Sequence, residues 1–132
     1  MLFRSNYKTQ DWAKAVVDFT GGAGPDAVID SAGGETFGKA IEIARPGGRV
    51  VTYGATTGPV PHVEVRRIFW KQLSILGSTM GTPAEFAAML ALYAAGGPKP
   101  VVDKVFPVVD AAAAHRRMEE AGQFGKIVLK VG

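Results

Sequence analysis

Short apolar runs alternate along this chain with segments whose apolar residues recur at helical spacing. Seventeen glycines and eight prolines separate these units. The strand-like runs are residues 27–30, 49–53, 73–78 and 127–131, with 105–108 as a further candidate. Strands that alternate with helices are joined by crossovers, and such crossovers pair the strands in parallel. The pattern therefore predicts an α/β fold in which helices flank a parallel sheet.

Local start signals support this division into elements. Thr9 is predicted to cap the first helix. Thr82 and Glu85 form a capping box around a proline at the first helical position, which is the strongest local signal in the chain. Asp110 is predicted to cap the last helix. Residues 54–72 combine strand-like alternation with a helical turn, so their structure is left open.

The composition excludes several kinds of site. The 132 residues include no cysteine and two histidines, which excludes disulfides and thiolate zinc sites and argues against any metal site. The length predicts a single domain. A net charge of +3 comes from separate basic segments, so it does not predict nucleic-acid binding. No apolar run has the length of a membrane span and no signal peptide is evident, so the protein is expected to be cytoplasmic.

Three glycine-rich junctions follow the first three predicted strands. They are residues 31–34, 54–58 and 77–81, and each combines glycine with small side chains or hydroxyl groups. In an open parallel sheet, ligands bind beyond the carboxyl ends of the strands. The junctions therefore indicate a place where a flat ligand lies against the backbone. The alternative is that these glycines only terminate the elements. Residues 22–27 match the letters of a dinucleotide fingerprint, but they follow a helix and precede a strand, so they are interpreted as a turn.

An ordered set of motifs extends over nearly the whole chain. The motifs are VIDS and GG within residues 28–34, RPGGRVV at 45–51, FWKQ at 69–72, LGS at 76–78 and FGKIVL at 124–129. In this order and spacing, the chain from Asn6 to Val131 resembles the C-terminal part of a medium-chain dehydrogenase/reductase. The resemblance is to the branch of zinc-type alcohol dehydrogenases and quinone oxidoreductases.

The resemblance implies one truncated, Rossmann-like dinucleotide-binding domain over residues 1–132. The family's first two strands and its pyrophosphate loop have no counterpart, and residues 1–5 are interpreted as an unrelated start. The implied cofactor is NADP or NAD, with binding that is weak or lost in this chain, and no metal is implied. Residues Asn6 and Tyr7 would be a strand remnant beyond the gap that the missing strands leave.

The resemblance also implies a set of cofactor-binding residues. Ser31 and Gly33 would flank the cofactor, Gly54 and Ala55 would lie near the nicotinamide ribose, Gly77 and Ser78 would face the nicotinamide, and Lys126 would approach the phosphates. No residue is assigned a catalytic or metal-binding role.

Two hypotheses for function follow. The first is the nicotinamide-cofactor-binding portion of an NAD(P)-dependent alcohol or quinone oxidoreductase, inactive alone. The alternative is a non-enzymatic, dimerising interaction module that has lost cofactor use. The segment from Leu73 to Met80 resembles the strand through which the family's dimers pair, so a homodimer is expected under either hypothesis. Cofactor binding distinguishes the two.

Overall fold

The chain forms two compact units in the computed structural model, which describes residues 4–132. The first unit runs to Met80 and the second spans Gly81–Gly132. The first unit contains α1 (Trp12–Phe19), β1 (Ala27–Asp30), α2 (Gly34–Ile43), β2 (Arg49–Thr52), α3 (Val65–Trp70) and β3 (Ser74–Gly77). The second contains α4 (Pro83–Ala94), β4 (Val102–Pro107), a short 3-10 turn (Val108–Asp110), α5 (Ala111–Glu119) and β5 (Lys126–Lys130).

The first unit is built on a parallel sheet in the order β1-β2-β3. Its register aligns the last residues of the three strands, because Asp30 lies opposite Thr52 and Thr52 lies opposite Gly77. All three strands therefore end at one edge of the sheet. This order is the one expected for the fourth, fifth and sixth strands of a Rossmann fold, and the predicted parallel α/β fold is confirmed.

Helix α2 supplies the core of this unit. Its residues Ala40 and Ile41, together with Ala44, form a fully buried cluster with Val50 of β2. Burying a side chain such as Ile41 contributes roughly 1.5 to 3 kcal/mol, so this cluster holds α2 against the sheet. Ile29 of β1 remains 71% exposed. Because the buried cluster holds α2 against β2, the start of α2, which follows β1 after residues 31–33, is fixed relative to the strand ends.

The second unit pairs β4 with β5 in parallel, joined by the 3-10 turn and α5. The ladder is irregular at Asp103, because its two neighbours in β4 face consecutive residues of β5. The Asp103 carboxylate accepts two hydrogen bonds from the Arg117 guanidinium, at 2.6 and 3.0 Å. It also accepts the backbone N–H of Phe124 at 3.2 Å. We call this ion pair the Asp103–Arg117 clasp.

Three expectations about the fold require correction. The final strands do not extend one sheet, since β4 and β5 form a sheet of their own. Asn6 and Tyr7 are not a strand, because the Asn6 carbonyl closes a turn by accepting the N–H groups of Thr9 and Gln10. That turn uses the Thr9 backbone, and Asp11 caps α1 instead by accepting the Lys14 N–H. Residues 1–3 of the expected unrelated start lie outside the described residues.

Three other local features are settled by the structure. The capping box is confirmed, because Thr82 and Glu85 each accept the backbone N–H of the other at the start of α4. The open segment 54–72 contains α3, which Glu64 begins by accepting the Arg66 N–H. Asp110 occupies the position before α5 but makes no capping hydrogen bond, since the 3-10 turn already leads into that helix.

The clasp predicts how acid destabilises the protein. Arg117 and the Phe124 amide lower the pKa of Asp103 below its ordinary value of 3.8. Stabilisation by this carboxylate is therefore complete above that value and is lost as the pH falls through the lower, folded-state pKa. We expect Asp103→Asn to be less stable than the parent at neutral pH and to lose less stability on acidification. Urea denaturation of both proteins, from neutral pH down to pH values below 3.8, measures both effects.

Asp18→Asn is the matched control, because the Asp18–Lys14 ion pair is exposed at both ends. It should leave the neutral-pH midpoint nearly unchanged. Equal acid sensitivity in Asp103→Asn and the parent would contradict the assignment.

Candidate functional site

The carboxyl ends of β1, β2 and β3 bring the three glycine-rich junctions to one edge of the sheet. An open cleft of about 510 Å³ lies there, lined by Thr52, Tyr53, Gly54, Ala55, Gly77, Ser78 and Thr79. Four of the seven predicted cofactor-binding residues, Gly54, Ala55, Gly77 and Ser78, are therefore in one cleft. Their place follows directly from the strand register, which aligns the residues that leave β2 and β3.

A buried carboxylate organises the first junction. Asp30 is 7% exposed at the end of β1. It accepts the backbone N–H groups of Ala32 and Gly33, at 3.2 and 3.0 Å, and the Thr36 hydroxyl at 2.8 Å. A buried carboxylate is costly unless such donors satisfy it, so the turn and the start of α2 are held together around Asp30. Sequence reasoning gave Asp30 no role, although an acidic residue before a glycine-rich turn is a signal for this contact.

The first two junctions pack tightly against each other. The Ala32 carbonyl accepts both the N–H and the hydroxyl of Thr57, each at 2.9 Å. The Gly58 carbonyl accepts the N–H of Gly34 at 3.1 Å. The junction after β1 therefore supports the junction after β2, which forms one side of the cleft.

This contact explains two of the predicted glycines. Gly33 is buried with φ +70°, and a Cβ there would lie 2.8 Å from the Ala55 Cα. A Cβ on Gly54 would lie 2.8 Å from the Ser31 carbonyl oxygen. Ser31 itself is exposed. Ser31 and Gly33 thus lie in the supporting junction, outside the residues that line the cleft, and their contact with a cofactor stays a prediction.

Gly77 differs from these glycines. A Cβ at Gly77 would meet nothing within 4 Å, so packing of the described residues does not require a glycine there. Gly77 and Ser78 are both exposed, and the Ser78 N–H donates to the Thr52 carbonyl at 2.9 Å, which continues the pairing of β3 with β2. A flat ligand can approach this hydrogen-bonded stretch of backbone closely. The open space fits the group that the resemblance implies.

Lys126 belongs to the second unit, where it is the first residue of β5. Its side chain is exposed, and its backbone N–H donates to the Val101 carbonyl at 2.8 Å. Within residues 4–132, the Lys126 ammonium has no carboxylate within ion-pair distance. The cation is therefore available to an anionic ligand.

The described part of the chain, residues 4–132, contains no group of three or more histidine or acidic side chains that could hold a metal ion. None of its helices combines the length and apolar character needed to cross a membrane.

A parallel sheet with glycine-rich junctions around a cleft at its carboxyl edge is typical of nucleotide-binding α/β proteins. The chain matches the zinc-binding dehydrogenase family over residues 3–129 and belongs to that family. The match begins at residue 3, whereas the resemblance inferred from the sequence begins at Asn6.

Relatives and solved structures agree with this assignment. The chain is 34% identical to the zinc-type alcohol dehydrogenase-like protein YogA of Leptosphaeria maculans, over 96% of this chain and 37% of that protein. It is 42% identical to an NAD-dependent alcohol dehydrogenase of known structure, with a TM-score of 0.83, over 96% of this chain and 37% of that one. It is 34% identical to the 2-octenoyl-CoA carboxylase reductase CinF, solved with NADP and 2-octenoyl-CoA, with a TM-score of 0.78 over 89% and 26% of the two chains. The chain thus spans between about a quarter and little more than a third of the length of these relatives.

Gly54 and Gly77 provide a matched test of this geometry, because Gly77 is the last residue of β3, Gly54 follows the end of β2 by two residues, and neither has a positive φ. We expect Gly54→Ala to lower the free energy of unfolding by about 1 to 3 kcal/mol, since its Cβ would force the Ser31 backbone away. Gly77→Ala should change it by less than about 0.5 kcal/mol. Urea denaturation of the two variants and the parent measures the difference. Equal losses would show that the junctions do not pack as described.

Proposed function

We propose that this chain forms the nicotinamide-binding side of the cofactor site in an NAD(P)-dependent oxidoreductase of the alcohol dehydrogenase and quinone oxidoreductase type. The observation that carries the proposal is the exposed backbone at Gly77 and Ser78, which lines a cleft at the carboxyl edge of a parallel sheet. The CinF structure holds NADP and another relative is NAD-dependent, which supports a nicotinamide dinucleotide as the ligand.

The cofactor, when bound, supplies the hydride, and the residues of this chain bind and orient it. Gly77 and Ser78 would hold the nicotinamide, since a Cβ at Gly77 would meet nothing within 4 Å among the described residues. Gly54 and Ala55 would lie beside the ribose. Tyr53, an exposed aromatic residue of the cleft that sequence reasoning missed, offers a ring face for additional contact.

Two further contributions complete the proposal. Ser31 and Gly33 flank the cofactor from the neighbouring junction, which Asp30 holds in place. Lys126 attracts the cofactor's phosphates with an ammonium that is free of ion pairs among the described residues.

The chain by itself binds this cofactor weakly and does not turn over a substrate. The chain spans 37% of the length of a matching alcohol dehydrogenase-like relative, which supports the proposal that these 132 residues are inactive by themselves. The substrate of a complete enzyme of this type is an alcohol, an aldehyde or a quinone. The proposal includes NADP and NAD alike.

Cofactor binding tests the proposal directly. Without the family's pyrophosphate loop, we expect dissociation constants for NADPH and NADH on the order of millimolar or weaker, because each lost charge-assisted hydrogen bond removes about 1.5 to 3 kcal/mol. An NMR titration of the full chain should shift the amides of Gly54, Gly77 and Ser78. Gly77→Val should abolish these shifts by filling the open space in the cleft.

Ser74→Val is the control for that variant, because Ser74 is an exposed residue at the other end of β3. It should bind like the parent. Absence of shifts in the parent at cofactor concentrations well above the millimolar range would favour the non-enzymatic interaction module. A micromolar dissociation constant that survives Lys126→Ala would contradict both the expected weakness and the role of that lysine.

We also propose that two copies of the chain pair through residues 73–80. Strand β3 has β2 as its neighbour and, within the described residues, no strand on its other side. The N–H groups of Ser74 and Ser78 point inward, to the carbonyls of Gly48 and Thr52, so alternation turns those of Ile75 and Gly77 to the open edge. Residues 74–77 carry no charge or proline that would oppose edge pairing.

The same substitution in two edge strands tests this pairing. Ile75→Lys should convert a dimer into a monomer in light scattering, because it places two charges at a symmetric β3–β3 contact. Ile29→Lys, in β1 at the other edge, should leave the dimer intact. The reverse result would assign association to β1. A parent chain that stays monomeric at high micromolar concentration would overturn the dimer proposal.

A further inference from the structure

We propose that the Asp103–Arg117 clasp is a positioning device for Lys126, which determines how well this lysine reaches the phosphates of the cofactor. The inference rests on the phosphate-binding role given to Lys126 above. It adds two residues, distant from Lys126 in sequence, to those that determine cofactor affinity.

The clasp begins with the irregularity in β4. Its register pairs Val102 with Lys126 and Lys104 with Ile127. Asp103 is therefore an extra residue opposite the first step of β5. An extra residue of this kind bends the strand locally and redirects a side chain. Here the redirected carboxylate reaches Arg117 of α5 and the turn that leads into β5.

The two partners of the clasp hold opposite ends of that turn. Arg117 donates to the Gly122 carbonyl at 3.2 Å, near the end of α5. Asp103 accepts the Phe124 N–H at 3.2 Å, two residues before β5. Because Asp103 and Arg117 also bind each other through two hydrogen bonds, the turn is fixed to both the helix and the strand.

The entry into β5 leaves little freedom after this turn. Gly125 has φ +111°, and a Cβ there would lie 2.5 Å from the Val101 carbonyl oxygen. The same oxygen accepts the Lys126 N–H at 2.8 Å. Lys126 thus begins the strand at a place defined by residues 101–103 on one side and by the clasped turn on the other.

The two cations near this turn, Arg117 and Lys126, differ in whether a carboxylate neutralises them. The Arg117 guanidinium is neutralised by Asp103, whose side chain is 13% exposed. The Lys126 ammonium has no ion-pair partner within residues 4–132. An anion that approaches this turn therefore meets Lys126 as the available cation, while Arg117 acts through the position of the backbone.

A double-mutant cycle on the full chain tests this inference, with NADPH as the probe and its dissociation constant measured by NMR titration. Lys126→Ala should weaken binding by about threefold to fivefold, near the upper end of the range for loss of one exposed charge contact. Asp103→Asn should weaken it by a similar factor. The double variant should be no more than about twofold weaker than Lys126→Ala alone, because Asp103 acts through Lys126. Additive losses would overturn the inference.

A direct structural readout separates this inference from the proposed function. In Asp103→Asn, the backbone N–H groups of Phe124 and Lys126 should exchange with solvent at least tenfold faster, while those of the β1–β2 ladder remain unchanged. If Lys126→Ala leaves NADPH affinity unchanged, the phosphate role of Lys126 fails. If the Lys126 amide stays protected in Asp103→Asn, the positioning role fails, whatever the cofactor result.

Two more variants guard against general instability. Arg117→Lys keeps the cation but cannot form two parallel hydrogen bonds to the carboxylate, so it should reproduce the effect of Asp103→Asn. Asp18→Asn removes an exposed ion pair and should leave both NADPH affinity and Lys126 exchange unchanged. Full retention of NADPH affinity and of Lys126 protection in Arg117→Lys would overturn the positioning role.

Discussion

The hydrogen bonds to the buried Asp30 carboxylate are the interaction on which the positions of the first two junctions depend. Removed from water at the end of β1, the carboxylate requires donors, and the chain supplies them from the turn that follows and from the first turn of α2. The turn is thereby drawn over the strand end. In that position the Ala32 carbonyl meets Thr57, so the second junction is fixed by the first. The buried carboxylate of Asp30 therefore holds the junction after β1 directly, and the junction after β2 through the contact of Ala32 with Thr57.

The glycines at this edge then divide into two kinds. Gly33 and Gly54 permit a close approach of two backbones, and a Cβ at either would collide with the neighbouring junction. Gly77 has no such neighbour within the described residues. An exposed strand end gains little from a glycine that no packing requires, since glycine loses more conformational freedom on folding than other residues. A ligand that approaches the backbone closely is a physical reason for glycine at this position.

What the sequence predicts well is local. The alternation of elements and the capping box around Thr82 depend on neighbouring residues, and both are confirmed. The separate sheet of β4 and β5 depends on which distant strands pair, which periodicity does not encode. The prediction that Thr9 caps α1 was wrong for a related reason. Thr9 and Asp11 are both residue types that suit an N-cap, but the Thr9 backbone belongs to the turn closed by Asn6, so Asp11 caps the helix. Sequence patterns did not predict the roles of Asp30 and Asp103, because these roles depend on hydrogen-bond partners that only the fold brings close to them.

The exposed apolar surfaces of the chain differ in what they offer to another molecule. Helix α4 is apolar on most of its surface, has no buried residue, and can contribute side-chain contacts alone. Its backbone groups are already paired within the helix. The outer edge of β3, which has no neighbouring strand within the described residues, adds backbone N–H groups to exposed apolar side chains and would determine the direction and register of a strand that pairs with it. In the proposed pairing of two copies, the strand edge would therefore give the contact its specificity, whereas contacts through α4 would add buried area without selecting a partner's orientation.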